Sequence, residues 1–211
     1  MLNDHDWLSR TRLLIGNKGI EKLANAHILV VGLGGVGSFA AEVLARAGIG
    51  KLTIVDADVY NASNRNRQTA ALISTEGKYK TDVVEQRLKD INPHIEIEKR
   101  NVYLKDENII ELLSESHYTY VLDAIDSLSP KIFLIYNALR LHINLISSMG
   151  SGGKFDPQQI RIADIVESYE CRLAFIIRKK LHRLGVYTGF KVVFSTEKVD
   201  KSLVFPLEGV P

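Results

Sequence analysis

The stretch Ile28-Leu29-Val30-Val31-Gly32-Leu33-Gly34-Gly35-Val36-Gly37 joins a short β-branched apolar run to a turn rich in glycine. Residues 36–47 continue with apolar side chains at a helical period, and Gly48 ends that pattern. Strand, glycine turn and helix in this order open a βαβ unit. The turn needs glycine because its backbone must approach phosphate oxygens closely, with the N–H groups at the helix start facing the anion. The pattern therefore predicts a phosphate-binding loop, formed by Gly32, Gly34, Gly35, Val36 and Gly37.

Strands and helices alternate on both sides of this stretch, which predicts a parallel sheet covered on both faces. We expect an α/β, Rossmann-like, doubly wound and mostly parallel sheet with a C-terminal extension, and the strand at 28–31 lies at its centre. The predicted strands are 28–31, 51–55, 95–102, 118–122, 143–147, 160–165 and 190–195. The predicted helices are 36–47, 81–91, 106–113 with Asp106 as N-cap, 129–141 and 171–184.

A single domain is predicted for residues 1–211, because this length suffices for one substantial core and the sequence contains no internal repeat. The domain comprises an N-terminal helical arm at 1–25, a nucleotide-binding core at 26–150 and a C-terminal extension at 151–211. The last boundary is soft and follows the glycine- and serine-rich segment 147–153.

The composition excludes several classes of protein. The net charge is +2, which demands no nucleic-acid partner and leaves room for local basic clusters. The single cysteine, Cys171, rules out an intrachain disulfide and a zinc site of several cysteines. A reducing, cytoplasmic location is expected. The polar N-terminus is unlike a signal peptide, and no apolar run approaches the roughly 20 residues of a membrane helix.

An acidic residue marks the end of the second predicted strand. Asp56 follows Gly37 by 19 residues, where a carboxylate accepts hydrogen bonds from ribose hydroxyls. Taken alone, this pattern fits a nicotinamide or flavin dinucleotide as well as ATP, and a glycine turn without a ligand is a further alternative.

Three downstream features favour ATP over a dinucleotide. The first is the polar, cationic run 63–68, where charge can neutralise a triphosphate; the alternative is an exposed loop. The second is Lys80, beside Lys78, at the start of a helix, where a solvated lysine is the alternative. The third is the pair Asp123 and Asp126 after the fourth strand, where a carboxylate can hold Mg²⁺; for Asp126 a helix cap is the alternative. Together they predict one crevice in which a substrate carboxylate attacks the α-phosphorus of ATP.

These motifs resemble those of the ubiquitin-activating-type (ThiF/MoeB-like) adenylating superfamily, which includes the molybdopterin- and thiamine-synthesis adenylyltransferases. The resemblance covers roughly residues 10–150, and the stretches that carry it are 32–38, 54–58, 63–68, 77–80, 91–93 and 123–126.

The superfamily implies a role for each matching residue. Asp56 would hold ribose and Asp126 would bind magnesium. The phosphates would be contacted by Asn64, Arg67 and Lys80, and the remaining nucleotide-site positions are Asp58 and Gln68. An N-terminal arginine reaches into the ATP site of a partner subunit in this superfamily, which implies a homodimer. Arg10 is the candidate for that role, with Arg12 as the alternative.

Within the superfamily, the chain is most similar to the tRNA threonylcarbamoyladenosine dehydratases. The segments 123–127, 150–157 and 193–197 carry this narrower resemblance. It implies ATP-dependent adenylation of the threonine carboxylate on a modified adenosine beside the tRNA anticodon. Attack by the ureido group of the same side chain would then expel AMP and close a ring. An accessory sulfur-acceptor protein is a further partner that the superfamily suggests.

The nucleophile in such a reaction is intramolecular, so no protein cysteine is required. Relatives that transfer sulfur or activate ubiquitin use a cysteine, and many carry paired Cys-x-x-Cys zinc ligands, which this chain lacks. Cys171 lies next to Arg172, which could stabilise a thiolate; a half-buried helix cysteine is the alternative. The run 170–174 departs from the Asp-Pro-Leu-Ala that is usual for the family.

The basic run 178–183, with Arg172 one to two turns earlier, could follow an RNA backbone. The alternative is a solvated face near a helix C-terminus, where cations are favoured. Candidate additions to such a surface are Lys99, Arg100 and Arg140, with Tyr169, Tyr187 and Phe190 as candidate stacking residues.

Two competing functions remain open from the residues. One is an adenylyltransferase that activates the C-terminus of a small ubiquitin-like sulfur carrier protein. The other is a NAD-dependent oxidoreductase or a nucleotide sensor without catalytic activity.

Overall fold

The computed structural model of the chain describes residues 6–200. The outermost parts of the predicted N-terminal arm and C-terminal extension lie outside that range. Two compact units are present, with their boundary between Leu145 and Ile146. The single-domain interpretation and its internal boundaries at 25 and 150 stay predictions.

The helices are α1 Ser9–Ala24, α2 Gly35–Ala47, α3 Lys80–Ile91, α4 Asp106–Ser114, α5 Leu128–Arg140 and α6 Arg172–His182. The strands are β1 His27–Val31, β2 Lys51–Val55, β3 Glu96–Arg100, β4 Tyr120–Asp123, β5 Leu145–Ser148, β6 Ile160–Asp164 and β7 Lys191–Ser195. Short 3-10 turns occur at Asp6–Leu8, Ala62–Asn64, Ile73–Thr75, Pro157–Gln159 and Ile165–Glu167.

The first unit contains four parallel strands in the order β3-β2-β1-β4. Strand β1 is therefore central, as predicted. Val31 pairs with Val55 on one side and with Asp123 on the other. Because these three strands end in register, the residues that follow them meet at one edge of the sheet. That carboxyl edge is where ligands bind in open α/β sheets.

The core of the first unit explains why these strands form where the sequence is apolar. Leu29, Val30, Leu52 and Ile54 are fully buried in their strands. One face of the sheet packs against α2 and α3, whose buried residues include Ala41, Ala45, Val84 and Leu88. Burial of a larger side chain of this kind, such as Val or Leu, contributes about 1.5–3 kcal/mol to the free energy of folding.

The second unit contains β5, β7 and β6 in that order, with β5 parallel and β6 antiparallel to β7. The Lys154 ammonium ties this unit together, since its Nζ donates to the backbone oxygens of Glu170, Ser195 and Glu197 at 3.0, 2.9 and 2.6 Å. Glu170 has a positive φ of 50°, an unusual conformation for a residue other than glycine.

The predicted fold class is confirmed, and every predicted strand and helix has a counterpart. Asp106 was expected as the N-cap of α4, and that is wrong: Asp106 is the first helical residue and Lys105 precedes it at the cap. The Asn108 side chain accepts a hydrogen bond from the Lys105 N–H at 2.7 Å, so an asparagine in the first turn supplies the capping oxygen. Strand β3 is shorter than the predicted 95–102. The prediction was too long because the alternation in the sequence continues past Arg100, the last paired residue.

In the described part of the chain, no helix combines the length and apolar character needed to cross a membrane.

Candidate functional site

A crevice opens at the carboxyl edge of the first unit, directly above the ends of β1, β2 and β4. Its polar lining contains seven of the predicted site residues: Gly32, Gly34, Asp56, Asp58, Gln68, Lys80 and Asp126. Apolar groups form the rest of the wall, among them Val31, Val55, Val102, Leu104 and Pro130. The crevice thus combines polar groups of both charge signs with a wall on which a planar base can pack.

The glycine turn is shaped by close contacts that exclude side chains. Gly32 has a φ of 88°, and a Cβ added there would lie 2.8 Å from the carbonyl oxygen of Ala124. A Cβ on Gly37 would lie 1.8 Å from the Gly32 oxygen, a distance that no structure tolerates. Gly34 faces open space, where a Cβ would meet only the Gln68 side chain at 3.8 Å. Gly32 and Gly37 therefore allow the turn to form, and Gly34 leaves its mouth accessible.

Asp56 fixes the turn against the end of β2. One carboxylate oxygen accepts from the Leu33 N–H at 2.6 Å and the other accepts from the Asp58 N–H at 2.8 Å. The Asp56 side chain is 9% exposed, so it reaches the crevice with little freedom to move. A carboxylate held in this way is ready to accept hydrogen bonds from a ligand without reorganising.

Lys80 places a buried positive charge in the crevice wall. Its side chain is 7% exposed, and its Nζ lies 2.8 Å from Asp58 Oδ2 and 3.7 Å from Asp56 Oδ1. The Lys80 N–H also donates to the Asp58 carbonyl at 3.0 Å, which anchors the first residue of α3. The Asp58 side chain is 69% exposed, so the ammonium can exchange this partner for a ligand anion at small cost.

The 61–68 segment forms a compact turn beside the glycine loop. A Cβ on Gly35 would lie 2.8 Å from the Arg67 carbonyl oxygen, so the two backbones are in direct contact. The Asn64 side chain accepts from the Asn61 N–H at 3.0 Å. Gln68 is buried, and its Oε1 has no hydrogen-bond partner among the described residues. A buried amide oxygen without a partner costs about 1–3 kcal/mol, which a ligand donor in the crevice would offset.

Arg67 points away from the crevice lining. Its exposed guanidinium donates through one nitrogen to the Ser63 carbonyl and to Asn66 Oδ1, both at 2.9 Å. Neither Arg67 nor Asn64 is among the residues that line the crevice. Both lie on the turn above the glycine loop, and a role in phosphate binding requires the Arg67 side chain to leave these partners.

The acidic pair after β4 separates into two roles. Asp123 is fully buried and forms an ion pair with Lys131 of α5, with Nζ and Oδ2 2.9 Å apart. Lys131 also donates to the Ile125 carbonyl at 2.9 Å, and Asp123 accepts from the Ile125 N–H at 3.0 Å. Asp123 is therefore used to shape the loop. Asp126, the other member of the pair, is exposed and lines the crevice. It is not the helix cap, because Ser127 occupies the N-cap position of α5.

Sequence reasoning missed Lys131. The signal was a lone lysine in the otherwise apolar first half of α5, eight residues after Asp123. Such a lysine one turn from a helix start can reach back to the strand that precedes the helix.

Arg10, Val36, Gly35 and Gly37 are not among the crevice-lining residues. Gly35 and Val36 form the first turn of α2, where Gly37 supports the loop from below. Arg10 is an exposed residue near the start of α1. Its alternative, Arg12, lies two residues further along the helix and is half-buried. Among the described residues, no group of three or more His, Cys, Asp or Glu side chains could hold a metal ion.

Cys171 is buried at the N-cap of α6, and its thiol lies 3.9 Å from the Gly150 carbonyl. The prediction of a half-buried helix cysteine is close to this environment, although the residue precedes the first helical turn. The crevice lining contains no thiol.

The three cations that were candidate additions to a basic surface all have a partner within the first unit. Lys99 contacts Asp82 and Glu85 at 2.8 and 2.7 Å, and Arg100 contacts Glu115 at 3.2 Å. Both are neutralised, so their expected part in a basic surface is wrong. Arg140 lies over the ring of Tyr136 at 5.7 Å.

The candidate stacking residues differ in their exposure to solvent. Phe190 is 4% exposed and belongs to the core, so its predicted stacking role is wrong. Its burial follows from alternation, since Phe190, Val192 and Phe194 are all buried. Tyr187 and Tyr169 are exposed. The Tyr187 ring contacts His182 at a tilt, and the Tyr169 ring is edge-on to Phe194.

Comparisons with known proteins agree with this geometry. The sequence model of the ThiF family matches residues 8–196. The tRNA threonylcarbamoyladenosine dehydratase of Bacillus subtilis is 42% identical over 189 residues, which cover 90% of this chain and 74% of that protein. The crystal structure of Escherichia coli tRNA N6-threonylcarbamoyladenosine dehydratase, TcdA, in complex with ATP has a TM-score of 0.90 at 38% identity, covering 93% of this chain and 84% of that one. The AMP complex of the same enzyme has a TM-score of 0.89 at 39% identity, covering 92% and 83%.

Proposed function

The chain belongs to the ThiF family, and from this we propose that it is an ATP-dependent tRNA threonylcarbamoyladenosine dehydratase. One observation carries the proposal: the glycine turn and the buried Lys80 ammonium line the same crevice. The pyrophosphate of a dinucleotide carries less charge and is bound mainly at the helix N-terminus, whereas a triphosphate has more charge to neutralise, so a buried cation beside the loop favours ATP.

The crevice suits ATP in three respects. Gly34 leaves the turn open, so the N–H groups at the start of α2 can bind the α-phosphate. Asp56 is held rigidly where ribose hydroxyls can donate to it. The apolar wall formed with Val102 and Leu104 accommodates the adenine ring.

Lys80 then stabilises charge on the phosphates as the reaction proceeds, exchanging the exposed Asp58 carboxylate for a phosphate oxygen. Arg67 and Asn64 approach the same phosphates from the turn above Gly35. Gln68 supplies its unpartnered buried amide oxygen to a donor on the nucleotide.

Magnesium is part of this proposal through Asp126. Mg²⁺ in phosphate sites keeps several waters and takes one or two carboxylates together with substrate phosphate oxygens. The exposed carboxylate of Asp126 at the crevice, which is not paired with Lys80 as Asp58 is, fits that requirement. The ion would neutralise phosphate charge, and the chain itself contributes this carboxylate and the loop that Lys131 holds in place.

The chemistry proceeds in two steps. A carboxylate oxygen of the threonylcarbamoyl group forms a bond to the α-phosphorus, the bond to the β-phosphate oxygen breaks, and pyrophosphate leaves. The ureido group of the same side chain then attacks the activated carbonyl, loses a proton and expels AMP, which closes the ring. The protein positions these groups and stabilises charge, and it supplies no covalent nucleophile.

A homodimer completes the proposal, because Arg10 would reach the ATP site of a second copy. Full activity in a strictly monomeric protein would exclude this role for Arg10. The superfamily also suggests an accessory sulfur-acceptor partner, and the single cysteine suggests a cytoplasmic location.

The alternative, activation of a carrier protein C-terminus, has less support. The relatives that match nine-tenths of the chain are named as dehydratases, and the crevice contains no thiol that could accept an acyl group.

The test is AMP release from ATP with three substrates: tRNA carrying threonylcarbamoyladenosine, the same tRNA without the threonylcarbamoyl group, and a carrier protein with a free Gly-Gly terminus. We expect release with the first alone, together with an RNA nucleoside lighter by one water. Release with the carrier and none with the modified tRNA would replace the proposal by its alternative.

A further inference from the structure

Positive charge is concentrated in one segment of the second unit. Residues 172–196 contain six Lys and Arg and no Asp or Glu. The rest of the chain has 21 Lys and Arg against 25 Asp and Glu, so the excess of positive charge resides in this segment. Helix α6 carries most of it, in a chain whose net charge is only +2.

The exposed cations at and just after α6 make no ion pair within residues 6–200, unlike exposed cations such as Lys89 and Lys99. Lys99 is bound by two carboxylates. By contrast Lys179, Lys180 and Arg183 are exposed and make no ion pair within residues 6–200. Arg178 is used structurally, since its guanidinium donates to the Ser168 carbonyl and hydroxyl. Together with Arg172 at the start of the helix, four exposed cations are therefore available to an external anion.

One face of α6 combines these charges with exposed aromatic surface. A shallow concavity is lined by Phe175, Arg178, Lys179, His182 and Arg183, which lie at helix spacings of three, four, seven and eight from the phenylalanine. Phe175 is 57% exposed, although a phenylalanine beside buried Ala174 and Ile177 could have packed inward. The His182 and Tyr187 rings contact each other in a tilted arrangement, with centroids 4.9 Å apart and an interplanar angle of 35°.

We propose that this face of α6 is a docking surface for RNA, in which a nucleobase packs on Phe175 while Lys179 and Arg183 contact flanking phosphates. The proposal deepens the proposed function, since it rests on the substrate being a tRNA. Exposed aromatic rings between cations are the arrangement that binds unpaired nucleotides, because bases stack and phosphates pair. An acidic protein segment would use the cations and leave the aromatic floor without a partner.

The helix offers a matched control within itself. Lys180 is exposed like Lys179 and carries the same charge. It lies about 100° further around the helix, away from the concavity. General electrostatic attraction would use the two lysines equally, whereas the proposed surface uses only Lys179.

The experiment measures binding of unmodified tRNA, without ATP, over a series of salt concentrations. We expect Lys179→Ala and Arg183→Ala each to reduce the slope of log affinity against log salt by about 1. Lys180→Ala should leave the slope unchanged. At fixed salt, Phe175→Ala should weaken binding about tenfold, and Phe175→Trp should keep the affinity of the original protein. Thermal unfolding of every variant checks that these exposed substitutions leave the fold intact.

Equal losses for Lys179→Ala and Lys180→Ala, or unchanged affinity for Phe175→Ala, would overturn the proposal. So would equally effective competition by polyglutamate, which carries charge without bases. Because the tRNA is unmodified and ATP is absent, the result does not depend on catalysis. If the protein cyclises the modified tRNA but these variants bind tRNA normally, the proposed docking surface is wrong and the proposed function stands. If these variants lose tRNA binding as expected but the protein does not cyclise the modified tRNA, the docking surface stands and the proposed function is wrong.

Discussion

Lys80 is the residue whose environment most directly implies catalysis. It holds a positive charge in a wall that is almost closed to solvent, and one of its two carboxylate partners is exposed. Lys80→Ala should lower kcat/KM for AMP formation about 100-fold or more, the usual loss when one charge-stabilising donor is removed. The measurement is initial-rate AMP release with modified tRNA, and circular dichroism checks the fold.

The control is Lys78→Ala, which removes an exposed lysine two residues earlier. It should retain the rate of the original protein. Comparable losses in both variants would indicate that the general positive charge of this segment matters, and not the buried ammonium.

Tyr60 is a fully buried residue whose hydroxyl has no hydrogen-bond partner among the described residues. Burial, with the charge of Asp56 adding to it, raises the pKa of Tyr60 to about 12. Tyr60→Phe should raise the free energy of unfolding by about 1 kcal/mol at neutral pH, because an unpaired buried hydroxyl is removed.

The same substitution has a signature in alkali. The folded-state pKa of Tyr60 exceeds the unfolded value of 10.0. The protonated hydroxyl therefore contributes stability to the original protein that is complete below pH 10 and is lost as the pH rises towards 12. In urea titrations, the advantage of Tyr60→Phe should therefore grow over that range, while the exposed control Tyr79→Phe shows no such growth. A constant difference between Tyr60→Phe and the original protein would show that the hydroxyl titrates normally.

The connection from β4 to α5 depends on one buried ion pair. Asp123 and Lys131 are both fully buried, 2.9 Å apart. Lys131→Met should lower the free energy of unfolding by about 3–5 kcal/mol, since it leaves an uncompensated carboxylate in the core. The double variant Asp123→Asn with Lys131→Met should recover part of that loss. A loss below about 1 kcal/mol in the single variant, measured by urea denaturation, would show that Asp123 takes up a proton or reaches water instead.

Local elements were predictable where one periodic pattern dominates. The run into Gly32 and the helix that ends at Gly48 were predicted almost to the residue, because apolar spacing and glycine chemistry both act within a few positions. Gly48 has a φ of 91°, the left-handed cap expected of a glycine there. The cap of α4 was mispredicted because an asparagine inside the helix, and not the aspartate at its start, supplies the oxygen.

Long-range pairing accounts for most of what the sequence left open. Asp123 and Asp126 look alike in the sequence, and only the position of Lys131 on a neighbouring helix separates a structural carboxylate from a crevice carboxylate. The same holds for Lys99 and Lys179, because the acidic partners of Lys99 lie on a helix 14 to 17 residues away. Phe175 was overlooked since its exposure depends on which face of α6 packs inward.

For the molecule as a whole, the register of three parallel strands gathers the site. Val31, Val55 and Asp123 are aligned, so the glycine turn, Asp56 and the Asp126 loop emerge at one edge. This part of the site was predictable from the order of strands and helices. The orientation of Arg67, which faces Ser63 and Asn66, was not predictable, because it depends on local hydrogen bonds that a bound ligand would replace.

Transfer of an oxygen label shows whether the substrate carboxylate attacks the α-phosphorus of ATP. The threonylcarbamoyl carboxylate on tRNA is labelled with heavy oxygen, and the nucleotide products of one turnover are analysed by mass spectrometry. We expect one labelled oxygen in AMP and none in pyrophosphate, because the oxygen bonded to phosphorus departs with AMP when the ring closes. Label in inorganic phosphate with ADP as the product, or unlabelled AMP beside a cyclised nucleoside, would contradict it.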